Sequence, residues 1–145
     1  MDIIGEVHDH LKLKLDPLRI SVNLEIADNI TLTGNLSLLY SIFYNLFDNA
    51  IKYGGEDIEI NIVNYLEDKK FCYFSFANTG NSIEENHLPR IFERFYRIDK
   101  GRSRETGGTG LGLAIVKNAV ELHRGKITAR TYKGGGVEFL FSLRK

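Results

Sequence analysis

Leu36-Ser37-Leu38-Leu39-Tyr40-Ser41-Ile42-Phe43-Tyr44-Asn45-Leu46-Phe47-Asp48-Asn49-Ala50-Ile51-Lys52-Tyr53 is the stretch that decides the fold. Leu39, Ile42, Phe43, Leu46 and Ala50 recur every three or four residues and make one continuous apolar stripe, the mark of a helix packed on a core. Gly54-Gly55 ends it. Downstream the period changes to two. Ile58, Ile60 and Ile62 alternate through 57–65, a polar Glu67-Asp68-Lys69-Lys70 turn follows, and Phe71 to Ala77 is almost wholly apolar, so the two runs form a hairpin. Upstream, Ile3, Ile4, Val7 and Leu11 predict a modest amphipathic helix, Val22, Leu24 and Ile26 a strand, and Ile30 to Thr33 a second short strand. Beyond residue 82, Glu84 to Tyr96 is expected to be helical with a break at Pro89. Leu111, Ile115, Ala119 and Leu122 mark the face of a further helix over 111–123, and 126–132 pairs with 137–143 around Lys133-Gly134-Gly135-Gly136. The sum is an α+β two-layer sandwich: one mixed, mostly antiparallel sheet covered on one face by about three helices.

Length and composition agree with a single domain over residues 1–145. The chain is 43% hydrophobic and 26% charged, with 19 Lys plus Arg against 19 Asp plus Glu, so no bulk charge draws it to nucleic acid or an anionic membrane. Cys72 is alone, so no intramolecular disulfide forms, and its apolar neighbours make it a core residue. No apolar stretch is long enough to span a bilayer, and the first residues lack the pattern of a signal peptide. Nine of the 14 glycines fall between Gly101 and Gly136, which directs attention to the carboxyl third.

Three features carry chemistry. Asn45, Asn49 and Lys52 are spaced i, i+4, i+7 and lie on one helical stripe. A neutral amide oxygen suits Mg²⁺, which keeps several waters and takes the rest of its shell from phosphate, and lysine adds a charge for the same phosphates. An ordinary solvated helix face accounts for the triplet equally well. Gly107-Gly108-Thr109-Gly110-Leu111-Gly112-Leu113 runs into a helix, so free amides and the positive end of the dipole converge as an anion cradle; its spacing matches neither a P-loop nor a dinucleotide fingerprint. Arg94, Arg97, Lys100, Arg102 and Arg104 lie just upstream, and Arg97 is the one expected to reach a phosphate. His8 and His10 project about 200° apart on their helix and form no metal pair. Phe43, Phe47, Phe71, Phe74, Phe76, Phe139 and Phe141 suit core positions better than a base-stacking platform, which leaves nucleic-acid binding unsupported.

Asn45 to Tyr53 resembles the asparagine box of sensor histidine kinases. Ile91-Phe92-Glu93-Arg94-Phe95-Tyr96-Arg97 resembles their phenylalanine box, and Gly108 to Val116 their second glycine box. The resemblance implies the Bergerat ATP-binding fold shared with Hsp90, MutL and type II topoisomerases, with a lid over about 99–108. It also implies ATP and Mg²⁺ as cofactors. Asn49 is then the Mg²⁺ ligand, and Asn45, Lys52 and Arg97 are the groups that meet phosphates and serve the transfer. Tyr53, Asn78, Gly80 and Ile83 line the nucleotide, and Gly108, Thr109, Gly110, Leu111 and Gly112 cradle the phosphates. The implied partners are the histidine-bearing dimerisation domain of the same kinase and a response regulator. No nucleic acid is implied, and the isolated domain is expected to be monomeric. By family habit the domain is the cytoplasmic part of a membrane-anchored sensor.

Two departures stand out. The family's D-x-G-x-G reads Asn78-Thr79-Gly80-Asn81-Ser82 here. In the family the aspartate accepts a hydrogen bond from the adenine amino group; an amide oxygen accepts the same bond without charge assistance, so weakened ATP affinity is expected. Ser82 adds a backbone cost if its position needs positive φ. No H-E-x-x-x-P-like pattern follows His8 or His10, so the phosphoacceptor is expected on a separate domain. The rival readings are a degenerate docking module with weak or no ATP binding, motivated by Asn78 and Ser82, and an anti-sigma-type serine kinase on the same fold. Phosphohistidine is acid-labile and phosphoserine is not, which separates the serine kinase from the histidine kinase.

Overall fold

The structure, a computed structural model, describes residues 2–27, 30–96 and 111–145. Three α-helices, α1 (Ile3–Leu15), α2 (Leu36–Tyr53) and α3 (Gly112–Leu122), lie on one sheet of five strands: β1 (Ser21–Glu25), β2 (Glu59–Glu67), β3 (Phe71–Asn78), β4 (Ile127–Thr131) and β5 (Val137–Arg144). The strand order is β1-β2-β3-β5-β4; β1 runs parallel to β2 and every other pair is antiparallel. The expected mixed α+β sandwich is the one observed.

Register explains the layering. Ile62 pairs with Phe76, Phe76 with Phe139, Phe74 with Phe141, and Cys72 with Leu143, so one sheet face is a continuous apolar wall. Against it α2 buries Leu39, Ile42, Phe43, Leu46, Phe47 and Ala50, and α1 buries Ile4, Val7, Leu11 and Leu15. Aromatic rings interlock across the layers, with Phe47 edge-on to Phe76 at 5.1 Å. Cys72 is a free, fully buried member of this core, and burial pushes its thiol up. Phe71 has the opposite parity and is only half-buried, 6.4 Å from Tyr73 on the other face, so it leaves the expected core list.

The parallel β1–β2 neighbour is fixed outside the strands. Arg19, with φ of 55°, follows the turn Asp16–Leu18 and holds Asp57 at 2.6 Å and Glu56 at 2.9 Å, while Asp57 N donates to Leu18 O. The same guanidinium holds the Asp57 carboxyl below its ordinary range. At the other end of β2, Asp68 accepts from Lys70 N at 2.8 Å, Phe71 N at 2.7 Å and Tyr73 OH at 2.8 Å, closing the hairpin. These bonds, the two backbone amides foremost, favour the carboxylate and lower its pKa from 3.8. A depressed carboxylate stabilises the fold fully above its unfolded pKa and loses that contribution as pH falls through its folded one. Thermal stability is therefore expected to be flat from neutral pH down to the carboxylate range and to fall below it. Asp68→Ala should lower the midpoint at pH 7 and shrink the acid slope; an unchanged acid limb in a melting series counts against this account.

Three expectations are corrected. Residues 30–33 form no strand: β5 already pairs with β3 and β4, so Thr33 N makes a lone bond to Arg144 O (3.1 Å), and Ile30 and Leu32 pack partly buried against the core. Residues 84–96 are turns around a short 3₁₀ segment, Leu88–Arg90, rather than a helix. Their bonds run i→i−3, as in His87 N to Glu84 O and Glu93 N to Arg90 O, and Phe95 has φ of 66°. Finally, α3 buries Val116, Ala119 and Val120, leaving Ile115 44% and Leu122 62% exposed. Lys117, Asn118 and Glu121 mark its polar side, and within the wide apolar half Val116, Ala119 and Val120 lie at the centre while Ile115 and Leu122 lie at the edge. Among the described residues no helix is long and apolar enough to cross a membrane.

Candidate functional site

The carboxyl half of α2 carries the stripe, because its other face is committed to the core. Asn45, Asn49 and Lys52 are half-buried beside that core, and Tyr53 is 40% exposed at the helix end. Asn45 Nδ2 donates to Ser41 O at 2.8 Å, which leaves its Oδ1 facing the first turn of α3: a Cβ on Gly112 would sit 3.3 Å from that oxygen. The start of α3, with its positive dipole end, is thus placed against the stripe. The far end of the pair is tied by His123, whose Nε2 accepts from Asn35 N at 3.2 Å while Nδ1 faces Ala119 O at 2.7 Å, the neutral tautomer with its proton on Nδ1.

Lys52 is not loose. Its Nζ lies 2.9 Å from Asp48 Oδ2, with the two side chains only 28% and 18% exposed. Asp48 precedes the lysine by four residues, the favourable order on a helix, and aims it along the stripe. Spacing could have exposed this pair, yet the stripe reading passed over it.

At the other end of the site β3 delivers Asn78, 3% exposed, directly above the carboxyl end of α2. Asn78 Nδ2 donates to Thr79 O at 2.9 Å. Thr79 is itself held on β2: its N donates to Glu59 O at 2.9 Å and its Oγ1 accepts from Glu59 N at 2.8 Å. No buried side-chain polar atom among the described residues lacks a partner. Asn78 Oδ1, which accepts from none of them, is therefore not fully buried. Gly80 has φ of 103°, and a Cβ there would lie 2.2 Å from Gly54 O, so only glycine allows this approach. Asn81 completes the contact, donating from N to Gly54 O (3.1 Å) and from Nδ2 to Tyr53 O (3.0 Å). Ile83 is half-buried against the core.

Ser82 has no positive φ, so the conditional backbone cost does not arise. Its Oγ instead accepts from Gly136 N at 2.9 Å. Asn81 and Ser82 act across loops and carry no local signature. The structure thus sets Asn45 against Leu111 and Gly112 at the start of α3, carries Asn49, Lys52 and Tyr53 along the same helix, and brings Asn78 and Gly80 to Gly54 at its end; Ile83 is placed only against the core. Arg97, Gly108, Thr109, Gly110 and the expected lid at 99–108 lie outside the described residues. Among the described residues there is no cluster of three His, Cys, Asp or Glu side chains able to hold a metal.

Comparison with known proteins agrees with this geometry. Residues 34–145 match the family described as histidine kinase-, DNA gyrase B- and HSP90-like ATPases. The phosphate regulon sensor protein PhoR of Pseudomonas aeruginosa is 41% identical over 118 residues, covering 81% of this chain and 26% of that protein. The catalytic domain of histidine kinase ThkA, in a nucleotide-free form, superposes with a TM-score of 0.85 at 27% identity, covering 99% of this chain and 91% of the other. ThkA in complex with the response regulator TrrA gives a TM-score of 0.80 at 25% identity, covering 99% of this chain and 40% of that one. The chain spans between 16% and 36% of the length of the first curated relatives it matches. A match over residues 34–145, together with a near-complete superposition on a kinase catalytic domain, places the chain in the histidine kinase-, DNA gyrase B- and HSP90-like ATPase family, as a catalytic domain of the sensor histidine kinase type.

Proposed function

We propose that this domain binds Mg-ATP in the α2–α3 cleft and presents its γ-phosphate to a histidine on a separate dimerisation domain, from which a response-regulator aspartate receives it. The observation that carries the reading is the convergence of Asn45 on the start of α3. That contact puts a stripe of two amides and a lysine beside a helix N-terminus, which is how polyphosphate is held without a covalent intermediate. Asn45 and Lys52 take phosphate oxygens, and Asp48 keeps Lys52 in line. Asn49 offers one hard oxygen, which fits a Mg²⁺ that arrives on the nucleotide with its waters; the ion supplies charge neutralisation between phosphates. Tyr53, Ile83, Asn78 and Gly80 line the base and sugar end. Arg97 and the amides of Gly108, Thr109, Gly110, Leu111 and Gly112 complete the phosphate end, under a lid at 99–108. The same reading places the domain on the cytoplasmic side of a membrane-anchored sensor.

Isothermal titration of ATP with and without Mg²⁺ tests this. Saturable, Mg²⁺-sensitive binding is expected, with Asn49→Asp altering the Mg²⁺ dependence. Asn78→Asp should change ATP affinity, because the gain of a charge-assisted bond to the adenine amino group is opposed by loss of the bond from Asn78 Nδ2 to Thr79 O. No heat up to millimolar ATP in the unmodified chain would overturn the reading in favour of a docking module.

A further inference from the structure

The loop Asn78–Ser82 is held from two sides. Beneath it, the carboxyl end of α2 receives Asn81 through the Tyr53 and Gly54 carbonyls. Above it sits the glycine turn between β4 and β5. A Cβ on Gly136, whose φ is 111°, would lie 1.9 Å from Asn78 O and 2.9 Å from Thr79 Cα, so the two backbones are in direct contact. Gly135 stacks on the same loop, with Gly80 O 3.4 Å from where its Cβ would be. One side-chain bond fastens this layer, from Gly136 N to Ser82 Oγ at 2.9 Å.

What the clamp holds still is an amide that reads two ways. A carboxylate is acceptor-only, but the amide of Asn78 presents either an acceptor or a donor depending on its rotation. Adenine offers an amino group at its six-position; hypoxanthine and guanine offer a carbonyl. Here one N–H of Asn78 Nδ2 donates to Thr79 O, which leaves Oδ1, not fully buried and accepting from no described residue, as the acceptor on offer. Rotating the amide loses that bond and sets two oxygens against each other. The orientation lasts only while Thr79 stays in place, held on one side by its two bonds to Glu59 and on the other by the backbone of Gly136.

Resting on the Mg-ATP reading above, we propose that Ser82 is a positioning residue that, by fixing the loop through Gly136 N, keeps Asn78 in its acceptor orientation and so makes the site selective for 6-amino purine nucleotides. The two departures from the family pattern are then one device. The amide at Asn78 gives up charge assistance and with it the built-in refusal of 6-oxo purines, and Ser82 restores that refusal by geometry.

The test is the ratio of dissociation constants for inosine triphosphate and ATP, by titration, in the unmodified domain, Ser82→Ala, Ser82→Gly and Ser82→Thr, each confirmed folded by melting without nucleotide. The unmodified domain should prefer ATP. Ser82→Ala and Ser82→Gly should reduce that preference about fivefold, the scale of one lost net hydrogen bond, and Ser82→Thr should keep it. In an Asn78→Asp background, where neither oxygen can donate, Ser82→Ala should leave the ratio unchanged. A purely structural Ser82 weakens both nucleotides alike, so a ratio within twofold of the unmodified domain in both hydroxyl-free variants overturns the inference and leaves the functional reading standing. No binding of either nucleotide by the unmodified chain sinks both.

Discussion

Phe43→Ala is expected to destabilise the domain by about 3–5 kcal/mol, a large share of the roughly 5–15 kcal/mol that holds a domain of this kind folded. Phe43 is 2% exposed and stands where α2 meets the centre of the sheet. Its ring is edge-on to Phe74 of β3 at 6.1 Å and to Phe141 of β5 at 5.8 Å, and those two stack on each other at 5.4 Å. Truncation removes the apolar transfer term, opens a ring-sized void and loses two aromatic pairs, each about 0.5–1.5 kcal/mol beyond area. The void should not collapse easily, since both partners are fixed by the β3–β5 ladder. Phe43→Leu keeps most of the volume and should cost much less. Denaturant unfolding of the three proteins decides: a loss below about 1.5 kcal/mol for the alanine variant would mean that α2 is not the keystone of this core.

That keystone was legible because its pattern is redundant. On α2 five apolar positions share one period, and no other register explains them. Strand alternation likewise placed Ile60 and Ile62 on the inner wall, whereas Phe71 to Ala77 is apolar on both parities, so sequence alone counts Phe71 as core beside Phe74 and Phe76. Where the reading failed, the local pattern was satisfied by more than one structure. Residues 30–33 have strand-like residues but run beside the end of β5, whose two edges are already taken by β3 and β4. The apolar half of α3 is wide, and the expected face takes in Ile115 and Leu122 from its edge, whereas the packing buries Val116 and Val120 at its centre. Residues 84–96 carry helical spacing that Pro89 and the turn at Phe95 do not let the backbone follow.

The site divides in the same way. Asn45, Asn49 and Lys52 sit on one helix, so their convergence follows from the rise and turn of an α-helix alone. The work of Asn81, Ser82 and Gly136 depends on contacts between segments 28 and 54 residues apart, which no local pattern encodes. Both departures in the first glycine box were visible in the sequence, but their consequences were not. Ser82 read as a strained replacement for glycine, whereas it sits in ordinary backbone and supplies a hydrogen bond.

Gly80→Ala should damage stability and nucleotide binding together, because one atom stands between the two. At φ of 103° an alanine is strained wherever it finds room, at about 1–3 kcal/mol, and here there is no room. Its Cβ would meet Gly54 O at 2.2 Å and Ile58 Cγ2 at 2.8 Å, and the nearer of these is backbone at the end of α2, which cannot rotate aside. The loop must lift. Lifting it stretches the bonds from Asn81 to Tyr53 O and Gly54 O and moves Thr79, whose carbonyl orients Asn78. The expected result is a loss of about 3 kcal/mol, roughly 10 °C in Tm, with ATP affinity reduced at least tenfold. Asn81→Ala removes the amide bond from the same contact without the clash, so it should show a milder form of both effects. If Gly80→Ala lowers Tm as expected yet binds ATP as well as the unmodified domain, the loop after β3 is a structural turn, and the base is recognised elsewhere.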